Sequence, residues 1–209
     1  MIKKTIRDKD YLQKLLIEKK QTELNMLRNQ LQPHFLFNAL NNLMSLANSS
    51  KNVKLVNSFD KLSQLLRFVI EDNQTEKIAI DKEILFLKNY IDLQLLRFEE
   101  EEVQIQFKII GKYNTQKVEP GLFIPFVENA FKYGTEPERT AVVEIEFDLT
   151  NEKEVQFKIK NKILIASKNN FGTGIETTRK RLELIYPNRH KLAITETKDF
   201  IVQLYINTQ

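Results

Sequence analysis

The sequence predicts an α+β chain. An N-terminal helical hairpin, which pairs with a second copy into a four-helix bundle, precedes an α/β sandwich whose mostly antiparallel sheet is covered by helices on one face. Three observations carry this. From about residue 8 to 48 the apolar spacing is three and four, with no glycine and one proline, Pro33. From residue 103 the apolar period switches to two. Helical patterns return between the alternating segments, at about 121–133 and 175–186.

In the first helix Leu24, Leu27 and Leu31 are spaced as in a coiled-coil seam. Beyond Pro33 the apolar set Leu36, Leu40, Leu43 and Ala47 lies on nearly the opposite side, so the buried face changes at the proline. Asn48 to Asn52 reads as a turn, and Leu55 or Val56, Phe59, Leu62, Leu66 and Val69 form the second amphipathic helix of the hairpin. Asp72 to Thr75 breaks the pattern. A third helix from about Asp81 to Phe98 carries Ile84, Leu87, Ile91 and Leu95 on one face, and the acidic run Glu99 to Glu102 ends it. Strands follow at Val103–Ile109, Val143–Phe147, Val155–Ile159 and Ile201–Ile206. The expected units are a linker and coiled-coil helix at 1–30, a helical dimerisation region at 31–75, and a compact domain at 76–209.

Composition excludes several function classes. The chain has 209 residues, 42% of them hydrophobic, enough for a buried core. It has no cysteine, so disulfides, thiolate metal sites and cysteine nucleophiles are absent, which suits a reducing cytoplasm. The net charge of +4 sits wholly in residues 1–30, where eight Lys/Arg face four acids. That segment has a single aromatic, Tyr11, and so lacks the stacking platforms of a nucleic-acid surface. No apolar run approaches the ~20 residues of a membrane span. A basic stretch opening a long helix is also what the positive-inside rule places just inside a membrane, so a cytoplasmic portion of a longer sensor, its membrane segment outside this chain, is expected.

Histidine occurs twice, at His34 and His190. On the helical wheel His34, Asn38, Asn41 and Ser45 line a polar stripe opposite Leu36, Leu40 and Leu43. Pro33 cannot donate to the carbonyl of Asn29, so the helix loosens beside the histidine. An imidazole with a reference pKa near 6.5 is largely neutral and nucleophilic at cytoplasmic pH. By itself such a residue equally describes an ordinary surface histidine beside a kink. His190, in a polar turn before a strand, is assigned no role.

The run Gln30-Leu31-Gln32-Pro33-His34-Phe35-Leu36-Phe37-Asn38 resembles the phosphoacceptor signature of the LytS-type sensor histidine kinases. Glu83, Tyr90, Arg97 and Phe98 resemble that family's helical segment ending in Arg-Phe. Pro125-Phe126-Val127-Glu128-Asn129-Ala130-Phe131-Lys132-Tyr133-Gly134 is similar to its N box, and Gly172-Thr173-Gly174-Ile175 with the helix through Arg181 to its glycine box. Taken alone, the first of these two is also a plain amphipathic helix and the second a turn cap.

The resemblance implies a kinase of a two-component system, active as a homodimer. ATP and Mg²⁺ would bind between the N-box helix and the glycine box, His34 would be autophosphorylated, and the phosphoryl group would pass to an aspartate of a response-regulator receiver domain. It implies His34 as acceptor with Asn38 orienting it, Asn129 as the Mg²⁺ ligand, and Glu128, Lys132, Asn161, Gly172, Gly174 and Arg181 at the nucleotide. Ser167 to Phe171 would form part of a short lid. Three positions depart from the family's pattern: Asn161 stands for its usual adenine-contacting Asp, Thr177 for an Asn and Tyr133 for a His. These departures leave a second reading, a nucleotide-poor pseudokinase that serves as a dimeric signalling module.

Overall fold

The computed structural model describes residues 53–71, 75–112, 115–136, 138–165 and 173–209, together with Lys19. The leucine seam, His34, Asn38, the loop Ser167 to Phe171 and Gly172 lie outside the described residues.

In chain order the elements are α1 (Val53–Glu71), β1 (Ile78–Ala79), α2 (Ile80–Leu95), β2 (Val103–Gly111), β3 (Lys117–Val118), α3 (Ile124–Gly134), β4 (Ala141–Leu149), β5 (Glu154–Lys162), α4 (Thr173–Ile185), β6 (His190–Glu196) and β7 (Asp199–Asn207). The chain is α+β, as expected. Five strands form one sheet in the order β2-β4-β5-β7-β6. The β2–β4 pair is parallel and the other three pairings are antiparallel. A parallel pair needs a crossover, and the chain between β2 and β4 supplies it, carrying α3 over the sheet.

Period-two alternation buries Ala141, Val143, Ile145, Phe147 and Leu149 of β4, Val155, Phe157 and Ile159 of β5, and Phe200, Val202, Leu204 and Ile206 of β7. Phe123 and Phe126 from the α3 region pack on Phe157 at 4.9 and 5.9 Å between ring centroids. The opposite face is open and charged. Lys108 meets Glu146 at 3.1 Å across β2 and β4, and Lys160 lies between Glu144 and Asp199. Exposed pairs of this kind add little stability, and what they supply is a soluble sheet face.

Three features depart from the sequence-based expectation. Of the positions expected inside on α1, Leu62 is buried and Leu66 and Val69 are half-buried against the core; of the alternatives Leu55 and Val56 it is Leu55 that packs inward, Val56 being 63% exposed, and Phe59, 48% exposed, gives way to Leu65 and Phe68. The apolar arc of α1 is wider than one partner can cover, and α2 takes the side bearing Phe68, which stacks on Phe86 with centroids 3.9 Å apart. Lys61–Asp92 (2.6 Å) and Asn89–Gln64 (2.9 Å) flank that contact. Secondly, β1 pairs with β3, Ile78 opposite Val118, so the segment entering α2 is stitched to the segment entering α3. Helix α2 also ends at Leu95 rather than at Phe98. Arg97 and Phe98 donate their N–H groups to Gln94 and Leu95 in a tightened last turn. No helix among the described residues is long and apolar enough to cross a membrane.

Candidate functional site

Helix α3 is cut to measure by its sequence. Pro125 sits in its first turn, where its missing N–H costs nothing, and Thr135 leaves the helix in an extended conformation while its hydroxyl donates to Phe131 O at 2.6 Å. Ile124, Phe126, Val127, Ala130, Phe131 and Gly134 face the core. The outward strip is therefore Glu128, Asn129, Lys132 and Tyr133. Glu128 and Asn129 are half-buried and Lys132 is exposed, its ammonium 5.1 Å above the Tyr133 ring. Burial pushes the Glu128 carboxyl up to about 7, against the pull of Lys132. On the α2 side, Tyr90 is buried and its hydroxyl accepts from Gln94 Nε2 at 3.1 Å. Burial, then the Glu128 charge, raise its pKa well above the ordinary value.

The two ends of α3 meet the other motifs. At the C-terminal end, Gly134 lies against Asn161 of β5 so closely that a Cβ on the glycine would come 2.2 Å from Asn161 Nδ2. Asn161 is 2% exposed. Its Nδ2 donates to Lys162 O at 2.8 Å, which fixes the amide's orientation, and its buried Oδ1 has no hydrogen-bond partner among the described residues. At the N-terminal end, Gly174 in the first turn of α4 sits against Pro125, where an added Cβ would stand 3.5 Å from the proline Cβ. Between Pro125 and Gly134 the helix rises about 14 Å, a length on the scale of an extended nucleotide. Asn129 and Lys132 lie along that span. No group of three or more His, Cys, Asp or Glu side chains converges among the described residues, so there is no all-protein metal cage in them.

Arg181 is a correction. It was expected at the nucleotide, yet it is 1% exposed, and its guanidinium is spent on the protein itself. It pairs with Glu119 at 3.1 Å and donates to Pro120 O at 2.8 Å and Gly121 O at 3.2 Å. The reason is position. Arg181 lies on the same stripe of α4 as buried Ile175, Thr178 and Leu182, which faces the core. His190, which was assigned no role, holds a ring nitrogen, Nδ1, 2.8 Å from Tyr186 O.

From the sequence Glu83 stands only within a motif, and nothing there singles out Glu119. Glu83 is fully buried, accepts N–H bonds from Gly121 (2.8 Å) and Phe123 (3.4 Å), and burial pushes its carboxyl up to about 7. The signal was present: a carboxylate one residue from Ile84 inside an apolar helix face has to find a partner. A shallow groove also crosses the open sheet face beside Glu146, Lys158, Gln203 and Tyr205, and it holds none of the residues the sequence singled out.

Residues 22–102 match the family model described as histidine kinase. Over this segment the chain is similar to histidine kinases. The segment includes both the run around His34 and the helix that ends before Arg97-Phe98, while α3 and the start of α4 lie beyond it. Among curated proteins, the chain is similar to the sensor histidine kinase YpdA of Escherichia coli, 36% identical over 116 residues, and to the sensor protein kinase HptS of Staphylococcus aureus, 27% identical over 117 residues. Those matches cover 55% and 56% of this chain but only 20% and 22% of the relatives, so the chain spans about a fifth of their length. A solved structure described as a bacterial phosphotransferase shares the fold, with a TM-score of 0.52 at 11% identity, over 88% of this chain and 96% of that one.

Proposed function

We propose that this chain is the phosphoacceptor and ATP-binding core of a two-component sensor histidine kinase. The observation that carries the reading is the meeting of the N-box helix α3 with the glycine-bearing start of α4 and with Asn161, three motifs scattered over fifty residues of sequence. Asn161 Oδ1, buried and without a partner among the described residues, suits a donor such as the 6-amino group of adenine. Asn129 would ligate Mg²⁺, which would take its remaining oxygens from phosphates and water, as is usual for this hard cation. Lys132 would neutralise phosphate charge, and Gly174 leaves room for backbone approach at the start of a helix, where N–H groups and dipole favour an anion.

In this reading a neutral ring nitrogen of His34 attacks the γ-phosphorus. The N–P bond forms as the bond to the leaving ADP oxygen breaks, with Asn38 orienting the ring. The protein contributes position and charge neutralisation more than covalent chemistry. The phosphoryl group then passes to a receiver-domain aspartate of a response regulator. The chain would act as a homodimer. The exposed Val56 and Phe59 on α1 leave an apolar flank that helices of a second copy would cover.

Incubation with γ-labelled ATP followed by mapping of the modified residue tests the proposal. Acid-labile, alkali-stable phosphate on His34 is expected, and His34→Gln should abolish it while Mg-ATP binding persists. Phosphate retained in that variant would refute His34 as acceptor, and no Mg-ATP binding at millimolar nucleotide would favour a pseudokinase.

A further inference from the structure

The buried turn Glu119-Pro120-Gly121-Leu122-Phe123 runs directly into α3 and is held by charges from two other helices. Glu83 of α2 accepts the N–H groups of Gly121 and Phe123. Arg181 of α4 donates to the carbonyls of Pro120 and Gly121 and pairs with Glu119. Tyr186, just past α4, accepts the Glu119 N–H on its hydroxyl at 2.9 Å. Gly121 adopts φ +65°, the left-handed region that glycine enters without strain, and this turns its N–H toward one helix and its carbonyl toward another.

Helices α3 and α4 touch through apolar contact at Pro125 and Gly174, and apolar contact has little directionality. Hydrogen bonds are directional, and those converging on the turn come from α2 and α4. The N-cap of α3, Phe123, has no side-chain cap, so the Glu83 carboxylate takes that place at the helix N-terminus. Arg181 lies two turns beyond Gly174 on the same face, so anchoring its guanidinium fixes the rotation of α4 and hence where its glycine-bearing first turn points.

We infer that Glu83 and Arg181 are positioning residues for the nucleotide, setting the N-box helix and the glycine-box helix at a fixed separation and rotation through the turn 119–123. The inference rests on the ATP-binding reading above. Its test uses the whole chain, with Mg-ATP titration calorimetry and a thermal melt of each variant. Glu83→Gln, nearly the same shape but with an amide facing an N–H, should weaken Mg-ATP binding about tenfold while melting cooperatively. Tyr186→Phe, a milder removal at the other end of the turn, should shift affinity in the same direction and stands in if Glu83→Gln does not fold. Val155→Ala, at the far end of β5 from Asn161, should lower the melting temperature and leave affinity unchanged, which separates stability from position. Glu83→Gln or Tyr186→Phe with a lowered melting temperature and unaltered Mg-ATP affinity would overturn the inference. Failure of the unaltered chain to bind Mg-ATP would instead overturn the ATP-binding reading, and this inference with it.

Discussion

Replacing Gly134 with alanine puts a methyl group where Asn161 now sits. The added carbon would lie 2.2 Å from Nδ2, 2.7 Å from Cγ and 3.0 Å from Cβ of Asn161, whereas ordinary contact needs about 3.5–4.0 Å. The amide must therefore retreat by more than about 1 Å. The glycine's own backbone is not in the left-handed region, so alanine by itself would be favourable by about 0.5–1 kcal/mol. Against this, Asn161 is buried, and moving it breaks the bond from Nδ2 to Lys162 O and leaves a dry amide unpaired, at about 1–3 kcal/mol. Overpacking adds about 1–3 kcal/mol. The net destabilisation expected is about 1–5 kcal/mol, measured by urea denaturation with the slope held common. The same displacement should weaken Mg-ATP binding at least about tenfold, because the acceptor assigned to the base has moved. Gly134→Ala combined with Asn161→Ala should recover most of the stability and none of the affinity. A Gly134→Ala chain as stable as the parent, or more so, would refute the contact and the reasoning built on it.

Other outcomes follow from the same geometry. Arg181→Met removes the guanidinium paired with the buried Glu119 carboxylate and should cost about 3–5 kcal/mol in a denaturant melt, part of it regained by adding Glu119→Gln. Glu83 holds a proton in the folded chain up to about pH 7 but releases it near 4.5 when unfolded, so the folded state binds more protons in that window. Stability should therefore fall as pH rises from 4.5 to 7, by at most about 3 kcal/mol from this group, and level off above. Glu128 adds a slope of the same sign, and Glu83→Gln should remove the Glu83 share in melts taken across that range. Phe68→Ala deletes one ring of the stack that holds α1 on α2 and should destabilise by about 3–5 kcal/mol, with limited proteolysis then cutting first in α1.

The strands and the helix α3 were legible because each carries its own period. Val155, Phe157, Ile159 and then Asn161 all point inward on β5, so the buried polar residue at the end of that series could be placed from alternation alone. What was not legible depended on partners distant in sequence. The pairing of Ile78–Ala79 with Lys117–Val118 is two residues long, too short for any period to register. On α1 the expected Leu62 is buried and Leu55, Leu66 and Val69 pack against the core, but Leu65 and Phe68 compete with Phe59 for burial, and only the presence of α2 decides between them. The motif places Arg181 at the nucleotide, although its own helix stripe faces the core.

Glu83 and Arg181 share one physical cause. A chain that buries Glu-Pro-Gly-Leu-Phe buries peptide groups that neither a helix nor a sheet can pair, and unpaired buried peptide groups are not tolerated. Two N–H groups then need an acceptor and two carbonyls need a donor, from opposite sides. A carboxylate on α2 and a guanidinium on α4 meet those demands with opposite charges, so that each also lowers the cost of burying the other. Charged residues on apolar helix stripes are thus a readable sign, since they mark where the chain must turn inside its own core. In this chain that turn opens the helix bearing Glu128, Asn129 and Lys132, which is why a demand of backbone hydrogen bonding becomes a demand on the position of the candidate site.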